Sequence, residues 1–173
     1  MAEKVIAGYK KKEFYITPER YGKIFEDWIY NLRDWCISRQ LWWGHQIPAY
    51  YHKETGELLG VTRDPSELEA KYGKENIIRD ADVLDTWFSS GLWPFSVLDF
   101  DFSEASELMK RYYPANVLET GHDILFFWVI RMLLMGYEIT GEAPFREIYL
   151  HGLVLDEHGK KMSKSWGNVI NPL

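Results

Sequence analysis

The strongest constraint on the fold lies late in the chain. A strand-like run around Val117-Leu118 is followed by an apolar helix from Asp123, a turn centred on Gly141, and a second strand at Glu147 to Leu155. Two strands separated by such a helix do not pair as a hairpin; they close as a parallel crossover with the helix laid over the sheet. An α/β fold with parallel strands and flanking helices follows. Open parallel sheets bind ligands beyond the carboxyl ends of their strands. Here those ends fall at Glu119 to Asp123 and in the stretch after Leu150.

Upstream, Thr17-Pro18-Glu19 predicts a helix start, with Thr17 as cap and Pro18 in the first helical position. Tyr21, Ile24, Phe25, Trp28, Ile29, Leu32 and Trp35 recur at spacings of three and four, which predicts a core-facing stripe. Ile47 to Tyr51 reads as a strand, Pro48 marking an edge or a strand entry. Lys53 to Gly56 reads as a hairpin turn, and Asp64-Pro65 as the start of a short polar helix that Gly73 ends. Residues 51–80 are therefore expected to be a peripheral insertion with little chemistry, inside one domain spanning 1–173.

With 173 residues, 46% of them apolar, the chain can bury one core. Eight Trp, eleven Tyr and nine Phe exceed what that core needs, so some should face a ligand or another domain. A net charge of −6 argues against a free-standing nucleic-acid binder, because phosphate backbones are held mainly by Lys and Arg. The single cysteine, Cys36, builds neither an internal disulfide nor a zinc cluster, and a cytoplasmic location is expected. The apolar run Ile124 to Met135 contains Arg131 and falls short of the roughly 20 residues that span a bilayer, so it reads as a buried helix and no membrane association is expected. The N-terminus shows no apolar segment with a cleavage site, and no targeting signal is expected.

Two strings carry chemistry. Lys161-Met162-Ser163-Lys164-Ser165, followed by Trp166-Gly167-Asn168, sets two lysines among small hydroxyl residues and suits a cationic loop closing on a polyphosphate. An ammonium about 4 Å from a phosphate charge gains about 4 kcal/mol at an effective dielectric near 20, before desolvation. On residue types alone, a solvated surface loop is the alternative. Gly121-His122-Asp123 follows a strand and opens a helix, where backbone N–H groups and the helix dipole attract anions. Gly121 leaves room for a ligand. Asp123 either accepts from a ribose hydroxyl or ammonium group, or is simply a favourable first-turn acid. Ile124 and Trp128 share a helix face at i and i+4, as a common pocket wall or as core. His45, His122 and His151 lack metal-ligand spacing, so no zinc site is expected.

The Lys161 to Ser165 string resembles, unaltered, the signature loop of the class I aminoacyl-tRNA synthetases. His151-Gly152-Leu153-Val154 before it and Gly167-Asn168-Val169-Ile170 after it match the context of that loop in the valyl branch. Asp34 to Gln40 resembles the valyl, isoleucyl and leucyl members, and Leu41 to Pro48 is closest to valyl ones. Asp85 to Ser90, Leu92 to Phe95 and Glu119 to Trp128 point the same way. The resemblance covers nearly the whole chain, weakest between His52 and Asp80 and between Asp99 and Lys110.

The resemblance implies the second half of a Rossmann-like nucleotide-binding domain. It also implies a reaction in which the carboxylate of valine attacks the α-phosphate of ATP, giving valyl-adenylate and pyrophosphate, before valine passes to tRNA(Val). Lys161 and Lys164, with Ser163 and Ser165, would be catalytic residues at the departing pyrophosphate. Gly121, Asp123, His151, Gly152, Met162 and Lys164 would bind ATP and the adenylate, His151 either against the adenosine or as a structural histidine. Trp87, Ile124 and Trp128 would wall the amino-acid pocket. Mg²⁺ would arrive with ATP, held mostly by phosphates. The His-containing tetrapeptide that the family also carries does not occur in these 173 residues. The resemblance also implies that Met1 would begin just after an inserted editing domain and that Leu173 would end just before the anticodon-recognising helices. The isolated chain is expected not to aminoacylate tRNA and to self-associate through an exposed apolar face. An isoleucyl enzyme, or a non-catalytic adenylate-binding or interaction module, stays open as an alternative.

Overall fold

The computed structural model describes residues 1–101 and 105–170; Leu173 lies outside them. In chain order the elements are α1 (Ala2–Lys10), β1 (Tyr15–Thr17), α2 (Arg20–Tyr30), β2 (Ser38–Arg39), β3 (Ala49–His52), β4 (Leu58–Val61), α3 (Ser66–Tyr72), β5 (Ile77–Arg79), β6 (Val83–Leu84) and α4 (Thr86–Ser90). They continue with α5 (Trp93–Ser96), α6 (Glu107–Tyr112), β7 (Ala115–Gly121), α7 (Ile130–Ile139) and β8 (Phe145–His151). These form two compact units, one of residues 1–33 and 91–173, the other of residues 34–90.

The first unit is built on a three-stranded parallel sheet, ordered β1-β8-β7. The expected crossover is present: β7 runs parallel to β8, from Ala115↔Phe145 to Gly121↔His151. The register sets Ile16, Ile148 and Leu118 side by side on a buried face, with Tyr15, Glu147 and Val117 on the other. A slip of one residue would exchange the two faces, so burial fixes the register. Over the buried face lie Val5 and Ile6 of α1, Phe25 and Ile29 of α2, and Ile130, Leu133 and Leu134 of α7. Burying a side chain such as Ile148 (0% exposed) contributes about 1.5–3 kcal/mol. Parallel sheets are usually covered on both faces. On the second face here, Tyr15, Val117 and Tyr149 remain exposed.

Four local expectations are corrected. Thr17 does not cap α2; it is the last residue of β1, opposite Tyr149, and its hydroxyl donates to Glu147 at 2.9 Å. With Thr17 held in the ladder, the helix starts only at Arg20. Of the predicted stripe, Phe25 and Ile29 are buried and Tyr21, Trp28 and Leu32 pack at the core margin. Ile24 is exposed, and Trp35 is exposed beyond the end of the helix. The apolar helix is not α from Asp123 either. His122–Ile124 form a 3₁₀ turn and Leu125–Val129 a π turn before α7 begins. The wide turn carries both Leu125 and Val129 into the core while Phe126 stacks on Trp28 at 5.0 Å. Finally, β8 stops at His151 rather than Leu155, because β1 and β7 supply no partner beyond Tyr149 and His151.

Glycine is required where α1 meets α7. A Cβ on Gly8 would lie 1.8 Å from the Tyr137 hydroxyl oxygen, which donates to Glu13 at 2.8 Å. Burial, followed by the hydrogen bond to Glu13 and then its charge, pushes the Tyr137 phenol well above its ordinary pKa.

The second unit contains an antiparallel sheet ordered β4-β3-β5, with Pro48 at the entry to the central strand β3. Gly56 (φ +70°) closes the β3–β4 turn and Gly73 (φ +83°) ends α3, backbone conformations that favour glycine. Residues 51–80 fall inside this unit, which extends beyond them on both sides. A two-stranded ribbon, β2 with β6, leads into α4. There Asp85 accepts from the backbone N–H of Trp87 (2.9 Å) and pairs with Arg39 (2.7 Å).

Candidate functional site

The sheet of the first unit brings the carboxyl ends of β7 and β8 together, with Gly121 opposite His151. Where the chain leaves β7, the Gly121 α-carbon faces Asp123, Leu153 and His151. A Cβ there would stand 2.6 Å from Asp123 Oδ1, so any larger residue displaces the carboxylate. Across the strand ends, His122 Nδ1 lies 3.2 Å from the His151 carbonyl oxygen, and its ring stacks on Tyr21 at 5.6 Å. His151 Nδ1 lies 2.7 Å from the Gly152 carbonyl oxygen. At Gly152 a Cβ would meet nothing within 4 Å, so packing does not require glycine there and the backbone beside the strand end is open to a ligand.

The chain after β8 returns to this point. Lys161 Nζ donates to Asp123 Oδ2 at 2.6 Å. The ammonium holds the Asp123 carboxyl below the usual carboxylate range. The Lys161 side chain is 64% exposed, and an ion pair so open to water contributes at most about 1 kcal/mol. Lys161 can therefore leave Asp123 for a stronger anion at little cost. Lys164 begins a 3₁₀ turn, Lys164–Trp166, that ends at Gly167 (φ +67°). It makes no ion pair among the described residues. The Ser163 and Ser165 hydroxyl oxygens lie 2.7 Å apart, and Met162 Sδ accepts from the Ile170 N–H at 3.4 Å.

The candidate pocket residues are placed as follows. Ile124 ends the 3₁₀ turn and Trp128 lies in the π turn, both half-buried. The Trp128 ring is tilted against Trp93 with centroids 6.1 Å apart. Trp87 belongs to α4 of the second unit.

Two side chains were not foreseen. Asp156 and Asn168 are bonded to each other at 2.7 Å and to the backbone around the two lysines. The local signals were the place of Asn168 in the string after the loop, with no role attached, and Asp156 three residues before Gly159, a turn pattern with an Asx acceptor. No group of three or more His, Cys, Asp or Glu able to hold a metal ion occurs among the described residues. No described helix is long and apolar enough to cross a membrane.

The family described as "tRNA synthetases class I (I, L, M and V)" matches residues 1–173. The chain is 54% identical over its whole length to a chloroplastic/mitochondrial valine–tRNA ligase of Arabidopsis thaliana, of which it covers 18%. It is 53% identical to the valine–tRNA ligase of Bacillus subtilis, covering 19% of it, and 51% identical to that of Thermotoga maritima, covering 20%; both matches span the whole chain. The chain thus spans about a fifth of the length of these relatives. Among solved structures, a methionyl-tRNA synthetase of Mycobacterium tuberculosis bound by methionyl-adenylate matches 99% of this chain and 28% of its own, with a TM-score of 0.65 at 24% identity. A leucyl enzyme of Agrobacterium radiobacter K84, solved in a ternary complex, matches 88% of this chain and 25% of its own, with a TM-score of 0.62 at 24% identity. At such identities these two likenesses establish the fold, a class I synthetase catalytic domain.

Proposed function

Since the chain belongs to the class I tRNA synthetases, we propose that it forms the second half of the activation site of a valine–tRNA ligase, which joins valine to ATP and passes it to tRNA(Val). The observation that carries the reading is the 2.6 Å contact of Lys161 with Asp123, which brings the signature loop onto the carboxyl ends of β7 and β8. Identities of 51–54% to valine–tRNA ligases support valine as the amino acid.

The chemistry is a displacement at the α-phosphate, which depends on positioning and charge stabilisation more than on a protein nucleophile. The valine carboxylate oxygen forms the new P–O bond and pyrophosphate leaves with the electrons of the old one. Lys161 and Lys164 take up the charge gathering on pyrophosphate, with Ser163 and Ser165 as hydroxyl donors beside them. Asp123, now freed of Lys161, accepts from the ribose hydroxyls or the valine ammonium group. Gly121, Gly152, His151 and Met162 line the adenylate, and Ile124 and Trp128 size the valine side chain. Mg²⁺ enters with ATP; a loop that offers ammonium groups suits an ion held mainly by phosphates. A cytoplasmic location belongs to this reading, as does self-association of the isolated chain through the face bearing Tyr15, Val117 and Tyr149.

Valine-dependent ATP–pyrophosphate exchange by the protein that carries this chain tests the reading. Lys161→Ala and Lys164→Ala should each lower kcat by about 10²–10³, the usual loss on removing a transition-state charge donor, with the KM for valine little changed. Trp128→Ala should raise that KM instead. Exchange driven by another amino acid, or lysine variants with undiminished kcat, would overturn it.

A further inference from the structure

Residues 152–170 follow the sheet without a ladder or long helix to hold them. Among the described residues their regular pieces are one bridge, Leu155↔Lys161, and the 3₁₀ turn Lys164–Trp166. Two side chains close the rest. Asp156 Oδ1 accepts the N–H groups of His158 (3.0 Å) and Lys160 (2.8 Å), folding a turn that brings Lys161 back beside Leu155. Asp156 Oδ2 accepts from Asn168 Nδ2 at 2.7 Å. The Asn168 amide then reaches the backbone on both sides of Met162. Its oxygen accepts the Ser163 N–H at 2.9 Å, and its Nδ2 lies 3.3 Å from the Lys161 carbonyl oxygen.

This task requires an amide, because the side chain at 168 must donate toward Asp156 and Lys161 while accepting from Ser163. Asp156 in turn must be a carboxylate to receive three donors at once. Its carboxyl is held below the ordinary range by the Asn168 amide first and the Lys160 N–H next, so the bond between the two side chains is charge-assisted.

We propose that Asp156 and Asn168 are positioning residues that brace the Lys161–Ser165 loop and so aim both lysines at the departing pyrophosphate. The assignment rests on the reading of that loop given above. Fixing the carbonyl of Lys161 and the N–H of Ser163 sets the chain direction at the first lysine and at the entry to the turn that carries the second. Neither bracing side chain needs to touch substrate. A displacement of about 1 Å at a reacting group can cost about a hundredfold in rate.

The test is a side-chain exchange. In the full-length protein, Asn168→Asp and Asp156→Asn should each lower the kcat of valine-dependent pyrophosphate exchange at least about tenfold, with the KM for valine changed less than about twofold. In Asn168→Asp two carboxylates face each other, so the loss should shrink as pH falls and the pair retains a proton. The double variant restores a donor opposite a carboxylate, though not the donor toward the Lys161 carbonyl oxygen, and should recover kcat at least about threefold over either single variant, a coupling that independent effects would not produce. Trypsin cleavage after Lys161 and Lys164 gives a second readout that needs no activity: faster in each single variant, slower again in the double one. Unchanged kcat and cleavage in both single variants, or a double variant no better than the singles, would overturn the brace. An unvaried protein without valine-dependent exchange, but with the predicted cleavage pattern, would remove the function and leave the brace standing.

Discussion

Replacing Gly8 by alanine sets two effects of opposite sign against each other. In a helix interior the change alone favours folding by about 1 kcal/mol, because alanine has less backbone freedom to lose. In this structure the new methyl would stand 1.8 Å from the Tyr137 hydroxyl oxygen, 2.4 Å from Cζ and 2.9 Å from Glu13 Oε2. The Tyr137 ring must yield, yet it is 4% exposed and lies against Phe14. Overpacking of this kind costs about 1–3 kcal/mol, and losing a hydrogen bond to a carboxylate about 1.5–3 kcal/mol more. After the helical gain the net loss is about 1.5–5 kcal/mol, a fall in thermal midpoint of roughly 3–20 °C for a chain of this size. Circular dichroism melts of parent and Gly8→Ala chains measure it directly. An unchanged or raised midpoint would refute the reasoning, since it would mean that the ring leaves its place without cost.

Two further outcomes follow from buried polar groups. Burial raises the phenols of Tyr137 and Tyr113, the latter to about 12, so the folded chain keeps these protons to higher pH than the unfolded chain does. Their stabilisation is complete below the ordinary tyrosine value of 10.0 and is lost as pH rises above it; urea midpoints should fall over that range, less steeply in Tyr137→Phe. In the second unit, Asp85→Ala removes the cap of α4 and the ion pair to Arg39, whose guanidinium keeps its bonds to the Cys36 and Ser38 carbonyl oxygens, a loss of about 2–4 kcal/mol by urea denaturation. Asp85→Asn keeps an acceptor for the Trp87 N–H and should lose less; equal losses would show that the cap contributes nothing.

The crossover from β7 to β8 was legible because it follows from order and hydropathy alone: apolar strand, apolar helix, apolar strand. The position of Asp123 and Lys161 beside the strand ends was legible for the same reason. Thr17 was misread because a cap and a strand end have the same local chemistry; only its partners, Tyr149 and Glu147, decide between them, and they lie far along the chain. The turn at Leu125–Val129 was hidden because a 3.6-residue pattern and a wider one place the same apolar residues inward over so short a stretch. Asp156 and Asn168 gave almost no signal. Their bond forms when the loop closes on itself, and no periodicity records it.

The place of β8 between β1 and β7 bears on how the first unit is made. Thr17 and Glu147, which bond across that pairing, are 130 positions apart. A chain emerging from the ribosome has no middle strand for its sheet until residues 145–151 appear, whereas residues 34–90 form their unit from one unbroken stretch. Joining ends so remote is entropically costly and slow. Until then β1 is an open edge and Phe14, Ile16 and Phe25 lack much of their cover. The interrupted unit is therefore the one exposed to mispairing during synthesis, and the contiguous one can be native first.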